Sequence, residues 1–155
     1  MKWRQKKVEK RTVLFVDDDE VVLLSLERGL QDESYNKLFV RSCNEVLEIL
    51  QRQEVHIIVT DMRMPEMTGL ELLRTVRKEY PHIIGIVLSG YDQDATLQTA
   101  VDQGEIFRLI PKPWKIGGVD FETLVRKAVD HYNLQSKCKQ SGGRKLEKCK
   151  AKLRE

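Results

Sequence analysis

The chain has no long apolar run. The longest, Val13–Val16, Val21–Leu24 and Ile83–Leu88 with its glycine, stop at four to six residues. Crossing a bilayer takes roughly 20, so a membrane span is excluded. A secretory leader is not expected either: the basic opening Met1-Lys-Trp-Arg-Gln-Lys-Lys7 leads into a short apolar stretch closed by the four acids Asp17–Glu20, which no leader core tolerates. Cysteine is scarce. Cys43, Cys138 and Cys149 make an odd count without metal-ligand spacing, so neither a disulfide framework nor a thiolate metal site is expected, and a reducing cytoplasm is the expected compartment. Aromatic residues make up only 6% of the chain, and Trp3 is the one aromatic in its basic ends, so stacking on nucleic-acid bases is not expected.

The net charge of +3 hides a polarised chain. Residues 1–11 carry six Lys/Arg against one Glu, residues 136–155 eight against two, and the segment between them 13 basic against 21 acidic residues. The ends read as a basic N-terminal arm and a basic C-terminal tail or linker start, flanking an acidic domain over 12–135. Solvation accounts for such ends, and neither membrane nor nucleic acid is expected as a partner of this domain. In the tail, Gly142-Gly143 breaks a helix. Leu146, Cys149 and Leu153 follow at helical spacing for little more than one heptad, too short for a coiled coil.

Between Thr12 and Leu134 two periodicities alternate. Short runs rich in β-branched residues lie at Thr12–Val16, Lys37–Arg41, Val55–Thr60, Ile83–Leu88 and Phe107–Ile110. Amphipathic stretches separate them at Glu20–Gln31, Asn44–Gln53, Gly69–Tyr80, Asp92–Gln103 and Val119–Leu134. Ser42-x-x-Glu45 and Thr68-x-x-Glu71 have the spacing of capping boxes, Tyr80-Pro81 stops the third helix, and Gly104 suits the end of the fourth. The fourth has apolar residues only at Ala95, Leu97, Ala100 and Val101, so it is expected to be loosely held. Five strands alternating with five helices predict an α/β fold: a parallel, doubly wound sheet with helices on both faces.

Right-handed crossovers and one reversal of winding place a ligand site at the carboxyl ends of the strands. Polar residues sit there. Asp17-Asp-Asp-Glu20 follows the first strand, Asp61 closes the third, Ser89-Gly90 closes the fourth, and Lys112 follows the fifth within Pro111-Lys-Pro-Trp114. Crowded carboxylates repel, and a divalent cation relieves the repulsion. Oxygen-only donors without nearby His or Cys favour Mg²⁺, with Mn²⁺ able to serve the same set. Mg²⁺ shares carboxylates with phosphate, so the constellation suits phosphoryl transfer. Asp61 is the candidate nucleophile, and the Lys112 ammonium and Ser89 hydroxyl are the candidate phosphoryl-oxygen ligands.

The stretches Val13-Leu-Phe-Val-Asp-Asp-Asp-Glu20, Thr60-Asp-Met-Arg-Met-Pro-Glu-Met-Thr-Gly-Leu-Glu-Leu72, Val87-Leu-Ser-Gly90 and Ile110-Pro-Lys-Pro-Trp114 resemble the receiver domain of bacterial two-component response regulators, a CheY-like family. The resemblance runs from about Thr12 to Leu134. It implies a flavodoxin-like five-stranded sheet of order 2-1-3-4-5 with five helices. It implies phosphorylation of Asp61 by a sensor histidine kinase or phosphotransfer protein, and Mg²⁺ held by Asp17, Asp18, Asp61 and the Arg63 carbonyl. Ser89 and Lys112 would bind the phosphoryl group, with a cis peptide at Lys112-Pro113. The switching face would be helix four, strand five and helix five, acting on an output domain after Glu155 or through a phosphorylation-dependent homodimer. The stretch Ile106–Trp114 further resembles receivers joined to HD-GYP phosphodiesterases or to ATPase-type transcription activators.

One departure concerns the switch. The family pairs the strand-four hydroxyl with an aromatic three residues before the lysine, and here that position is Leu109. Phe107 lies two residues earlier, and a period of two puts it on the face of Leu109. Arg63 and Tyr91 are expected to flank the mouth of the site and slow hydrolysis of an acyl phosphate. Two other readings compete. A haloacid dehalogenase-like phosphatase would use Asp17-x-Asp19 with Asp17 as nucleophile, but it needs a late acidic pair that Ile110–Trp114 does not offer. A pseudo-receiver would bind without carrying phosphate, but it would lack one of the residues present here.

Overall fold

A computed structural model of the chain describes residues 10–89, 95–111 and 119–140. Strands β1 (Thr12–Val16), β2 (Asn36–Val40), β3 (Ile57–Asp61), β4 (Ile84–Ser89) and β5 (Arg108–Pro111) alternate with helices α1 (Glu20–Gly29), α2 (Cys43–Arg52), α3 (Gly69–Glu79), α4 (Ala95–Asp102) and α5 (Val119–Gln140). All four strand pairings are parallel, in the order β2-β1-β3-β4-β5. The expected doubly wound sheet is therefore present.

β1, β3 and β4 are buried along their whole length, which is why they read as unbroken apolar runs. Alternate residues feed two cores. Val13, Phe15, Val59, Ile86 and Leu88 pack with α1 and α5 through Leu23, Leu26, Phe121 and Val125. Leu14, Val16, Ile58 and Val87 pack with α2, α3 and α4 through Val46, Leu70, Val76 and Leu97. Only Leu97 and Ala100 of α4 are buried, consistent with its sparse apolar pattern.

Local signals are satisfied with one variation. Thr68 Oγ1 accepts the Glu71 N–H at 3.1 Å, and Ser42 Oγ accepts the Glu45 N–H at 3.2 Å. The returning Glu45 carboxylate takes the Arg41 N–H at 2.9 Å, one residue before the cap. Gly104 has φ +79°, the left-handed conformation expected of a helix-ending glycine. α5 runs six residues past Leu134, where the apolar pattern fades.

The expectation that Phe107 and Leu109 share a face is corrected. Phe107 packs against the core of α1 and α5, its ring 4.8 Å from that of His131, whereas Leu109 packs against the core of α2, α3 and α4. The reason is local: the chain bends at Phe107 and β5 begins only at Arg108, so strand alternation does not reach back to the phenylalanine.

Candidate functional site

Winding reverses between β1 and β3, whose crossover helices leave toward opposite faces. Val16 and Thr60 are register partners at the ends of these strands, so the next residues, Asp17 and Asp61, emerge side by side. The backbone pins both. The Asp17 N–H donates to the Val40 carbonyl at 3.2 Å, and the Met62 N–H donates to Leu88 O and to Asp61 Oδ1, both at 3.0 Å. Asp17 and Asp61 are buried, 2% and 8% exposed, and Asp18 is exposed.

The four consecutive acids divide their work. Asp17 Oδ1 accepts the Asp19 N–H at 2.9 Å, and Asp19 Oδ1 accepts the Val21 N–H at 2.9 Å, capping α1. Glu20 lies in the first turn, where the helix dipole favours an acid. Asp17 and Asp18 remain for the crevice. One oxygen from each of Asp17, Asp18 and Asp61 lies within 4.8 Å of the others. Opposite ligands on Mg²⁺ stand roughly 4.2 Å apart, so small side-chain rotations bring the three onto one ion. Among the described residues only oxygen donors meet there, which suits Mg²⁺ or Mn²⁺ better than zinc.

The β3–α3 loop is tied back beneath Asp61. Gly69 N–H donates to Met62 O at 2.9 Å, Thr60 Oγ1 donates to Asp61 O at 3.0 Å, and Met62, Met64 and Met67 pack on the core. A Cβ on Gly69 would lie 2.3 Å from Asp61 O, so only glycine allows this approach. Arg63 is exposed, two residues beyond Asp61. Ser89 is 3% exposed and lies one residue past Leu88, the register partner of Asp61, which sets its backbone beside the crevice. Leu109 is half-buried opposite Val87. Lys112 and Tyr91, with the Lys112-Pro113 bond, lie outside the described residues.

Sequence reasoning missed Arg41. Its Nη2 donates to the Asp18 carbonyl at 3.4 Å, and its Nη1 lies 3.9 Å from Glu20 Oε2. The guanidinium reaches the acidic loop from the end of the neighbouring strand, and its place directly after β2 was the available signal. Asp19, in contrast, is committed to its helix cap and stands outside the carboxylate trio, which removes the Asp-x-Asp pair that a dehalogenase-type phosphatase requires.

With this geometry, comparison with known proteins is decisive. The family model described as "Response regulator receiver domain" matches residues 13–120. The chain is 40% identical over 124 residues to the hydrogenase transcriptional regulatory protein HoxA of Cupriavidus necator, a match covering 80% of this chain and 25% of that protein. It therefore spans about a quarter of that relative's length. A signal receiver domain of an HD domain-containing protein from Pseudomonas fluorescens superposes with TM-score 0.74 at 28% identity, covering 83% of this chain and 93% of that one. The beryllofluoride-activated NtrC4 receiver domain dimer gives TM-score 0.70 at 25% identity, covering 78% and 98%. Receivers of this kind are signalling switches, not enzymes acting on an outside substrate, and they bind Mg²⁺ through acidic residues. This chain belongs to the response regulator receiver domain family.

Proposed function

We propose that Asp61 is the phosphoacceptor of a Mg²⁺-dependent switch. The carrying observation is the convergence of Asp17, Asp18 and Asp61 at the ends of β1 and β3. Asp17, Asp18, Asp61 and the Arg63 carbonyl hold the ion in this reading, and the bound ion neutralises charge on the incoming phosphoryl oxygens. The Asp61 carboxylate attacks phosphorus, forming an acyl phosphate as the bond from phosphorus to the donor's nitrogen or oxygen breaks; the leaving group departs with that electron pair. The Ser89 hydroxyl and Lys112 ammonium take the phosphoryl oxygens, and hydrolysis later returns Asp61 and inorganic phosphate. The donor is a histidine kinase or phosphotransfer protein.

The added charge biases α4, β5 and α5 between two arrangements. The weak anchoring of α4 supports its part in this change, with Leu109 against the α2–α4 core and Phe107 against α5. In this reading the receiver occupies 12–135, between a basic arm and a tail or linker. The length and name of the HoxA relative support a transcriptional output domain in the whole protein, and likeness to the activated NtrC4 dimer supports pairing of phosphorylated copies. Arg63 and Tyr91 screen the acyl phosphate from water; Arg63→Ala and Tyr91→Ala are expected to shorten its lifetime a few-fold, read as decay of phosphorylated protein.

The test is intact mass after incubation with Mg²⁺ and acetyl phosphate. One phosphoryl group is expected, abolished by Asp61→Asn. No gain, or a gain unaffected by that change, overturns the assignment.

A further inference from the structure

His56 is the one buried histidine of the three, 6% exposed, and lies just before β3, at the end of the sheet opposite the crevice. Its backbone is fastened on both sides: the N–H donates to Thr12 O and the carbonyl accepts the Ile84 N–H, both at 3.0 Å. The ring makes a third link, with Nδ1 accepting the Thr12 N–H at 2.9 Å. A ring nitrogen accepts such a bond only while it carries no proton. Protonation sets two donors against each other in a buried place and leaves the Thr12 N–H without its acceptor.

The end of α5 rests on this ring. Tyr132 packs against His56 with ring centres 4.8 Å apart and planes at 80°, and it stands 6.2 Å from His82. Among the described side chains of α5, the buried ones are Phe121, Val125, Ala128 and Tyr132, and Tyr132 is the last. Arg11, just before β1, braces the same spot: its Nε donates to Asn133 Oδ1 at 2.6 Å, and its guanidinium lies 5.0 Å from the Tyr132 ring centre. α5 continues eight residues past Tyr132, two turns or about 12 Å.

The groups facing His56 decide which way its charge is driven. Glu54, from the segment between α2 and β3, lies 3.4 Å from Nε2 and favours a charged ring, but its side chain is 70% exposed, so water screens the attraction. Arg11 and His82, the latter from the segment between α3 and β4, disfavour the charge. Tyr132 of α5 presents a neutral phenol, its ionisation pushed up by burial. Burial is the largest influence on His56 and lowers its pKa below the usual imidazole value. Geometry and surroundings therefore agree in keeping the seated ring neutral.

We propose that His56 and Tyr132 form a proton-operated fastening of the end of α5: the neutral ring seats the last two turns on the base of the sheet, and protonation releases them while the sheet stays paired. Release is local because the two backbone bonds of His56 do not involve its ring. Mild acid thereby acts on α5 from the end of the sheet remote from Asp61, and the fastening does not rest on the assignment of Asp61 as phosphoacceptor.

The test is hydrogen exchange of the full chain, followed by mass spectrometry at pH 7.5 and pH 5.5 with rates corrected for intrinsic exchange. Amides 133–140 are expected to be less protected than those of β1 and β3 at both pH values. At pH 5.5 they should lose about tenfold in protection, as for a ring that titrates near 6.5 when released and well below that when seated. His56→Gln should remove this response, since a glutamine carbonyl accepts the Thr12 N–H at either pH; His82→Gln and His131→Gln should retain it. NMR titration of the His56 ring in the unaltered chain gives a reading that needs no variant, with a midpoint expected below about 6.5. The proposal is overturned if protection of 133–140 is indifferent to pH or equals that of β1, if the response survives His56→Gln or vanishes in His82→Gln or His131→Gln, or if the ring titrates at or above the ordinary value. Phosphorylation by acetyl phosphate reports separately on the crevice, so the two assignments fail independently.

Discussion

The carbonyl oxygen of Asp61 and the α-carbon of Gly69 approach so closely that a methyl group on the glycine would sit 2.3 Å from the oxygen. The contact closes the β3–α3 loop: Gly69 gives its N–H to Met62 O, and Thr68 caps the helix that follows. Gly69→Ala forces backbone against backbone, which no side-chain rotation relieves. A loss of roughly 1–3 kcal/mol is expected, as for overpacking in a buried site, with weaker Mg²⁺ binding because Asp61 is displaced. Urea unfolding with and without Mg²⁺ checks both parts.

Asp19 separates the cap from the crevice. Asp19→Ala removes the oxygen that receives the Val21 N–H, and a loss of about 1 kcal/mol is expected. Uptake of phosphate from acetyl phosphate should persist, because Asp19 is not one of the three converging carboxylates. Thermal unfolding and intact mass, measured on the same variant, check the two halves; loss of phosphorylation would revive an Asp-x-Asp mechanism.

Stability should depend on pH through His56. This buried ring accepts the Thr12 N–H at Nδ1, 2.9 Å away, so its own proton belongs on Nε2, toward Glu54. Burial lowers its pKa below the usual imidazole value, with Arg11 and His82 acting the same way and Glu54 opposing. His131 is lowered likewise, by burial and then by Arg108. The unfolded chain therefore binds more protons than the folded one in mildly acid solution. The contribution is complete above the ordinary histidine pKa of about 6.5 and is lost as pH falls through the depressed folded values. Urea midpoints measured from pH 8 to pH 5 should decline below about 6.5, and His56→Gln should flatten that decline.

Much of this was legible in the sequence, for identifiable reasons. β1, β3 and β4 are buried on both faces, so their apolar runs stand out, and Ser42, Thr68 and Gly104 mark helix ends with the chemistry those ends need. Asp17, just past the end of β1, and Asp61, the last residue of β3, were legible because residues at the carboxyl ends of strands border the crevice where the winding reverses. What escaped depends on contacts distant in sequence or on a break in local periodicity. Arg41 acts across the β1–β2 boundary on Asp18 and Glu20. Phe107 leaves the strand repeat one residue before β5 begins. The contact of Arg11 with Asn133 of α5 spans 122 positions, which no local pattern shows. Among four consecutive acids, the Val21 N–H shows that Asp19 is the cap.

The central claim is that β1 and β3 assemble a site for one Mg²⁺, and calorimetric titration of Mg²⁺ into the full chain tests it most directly. A single saturable site is expected, abolished or greatly weakened by Asp17→Asn, Asp18→Asn or Asp61→Asn and kept by Asp19→Asn. Absence of saturable binding to the unaltered chain, or equal loss in the Asp19 variant, would contradict the account.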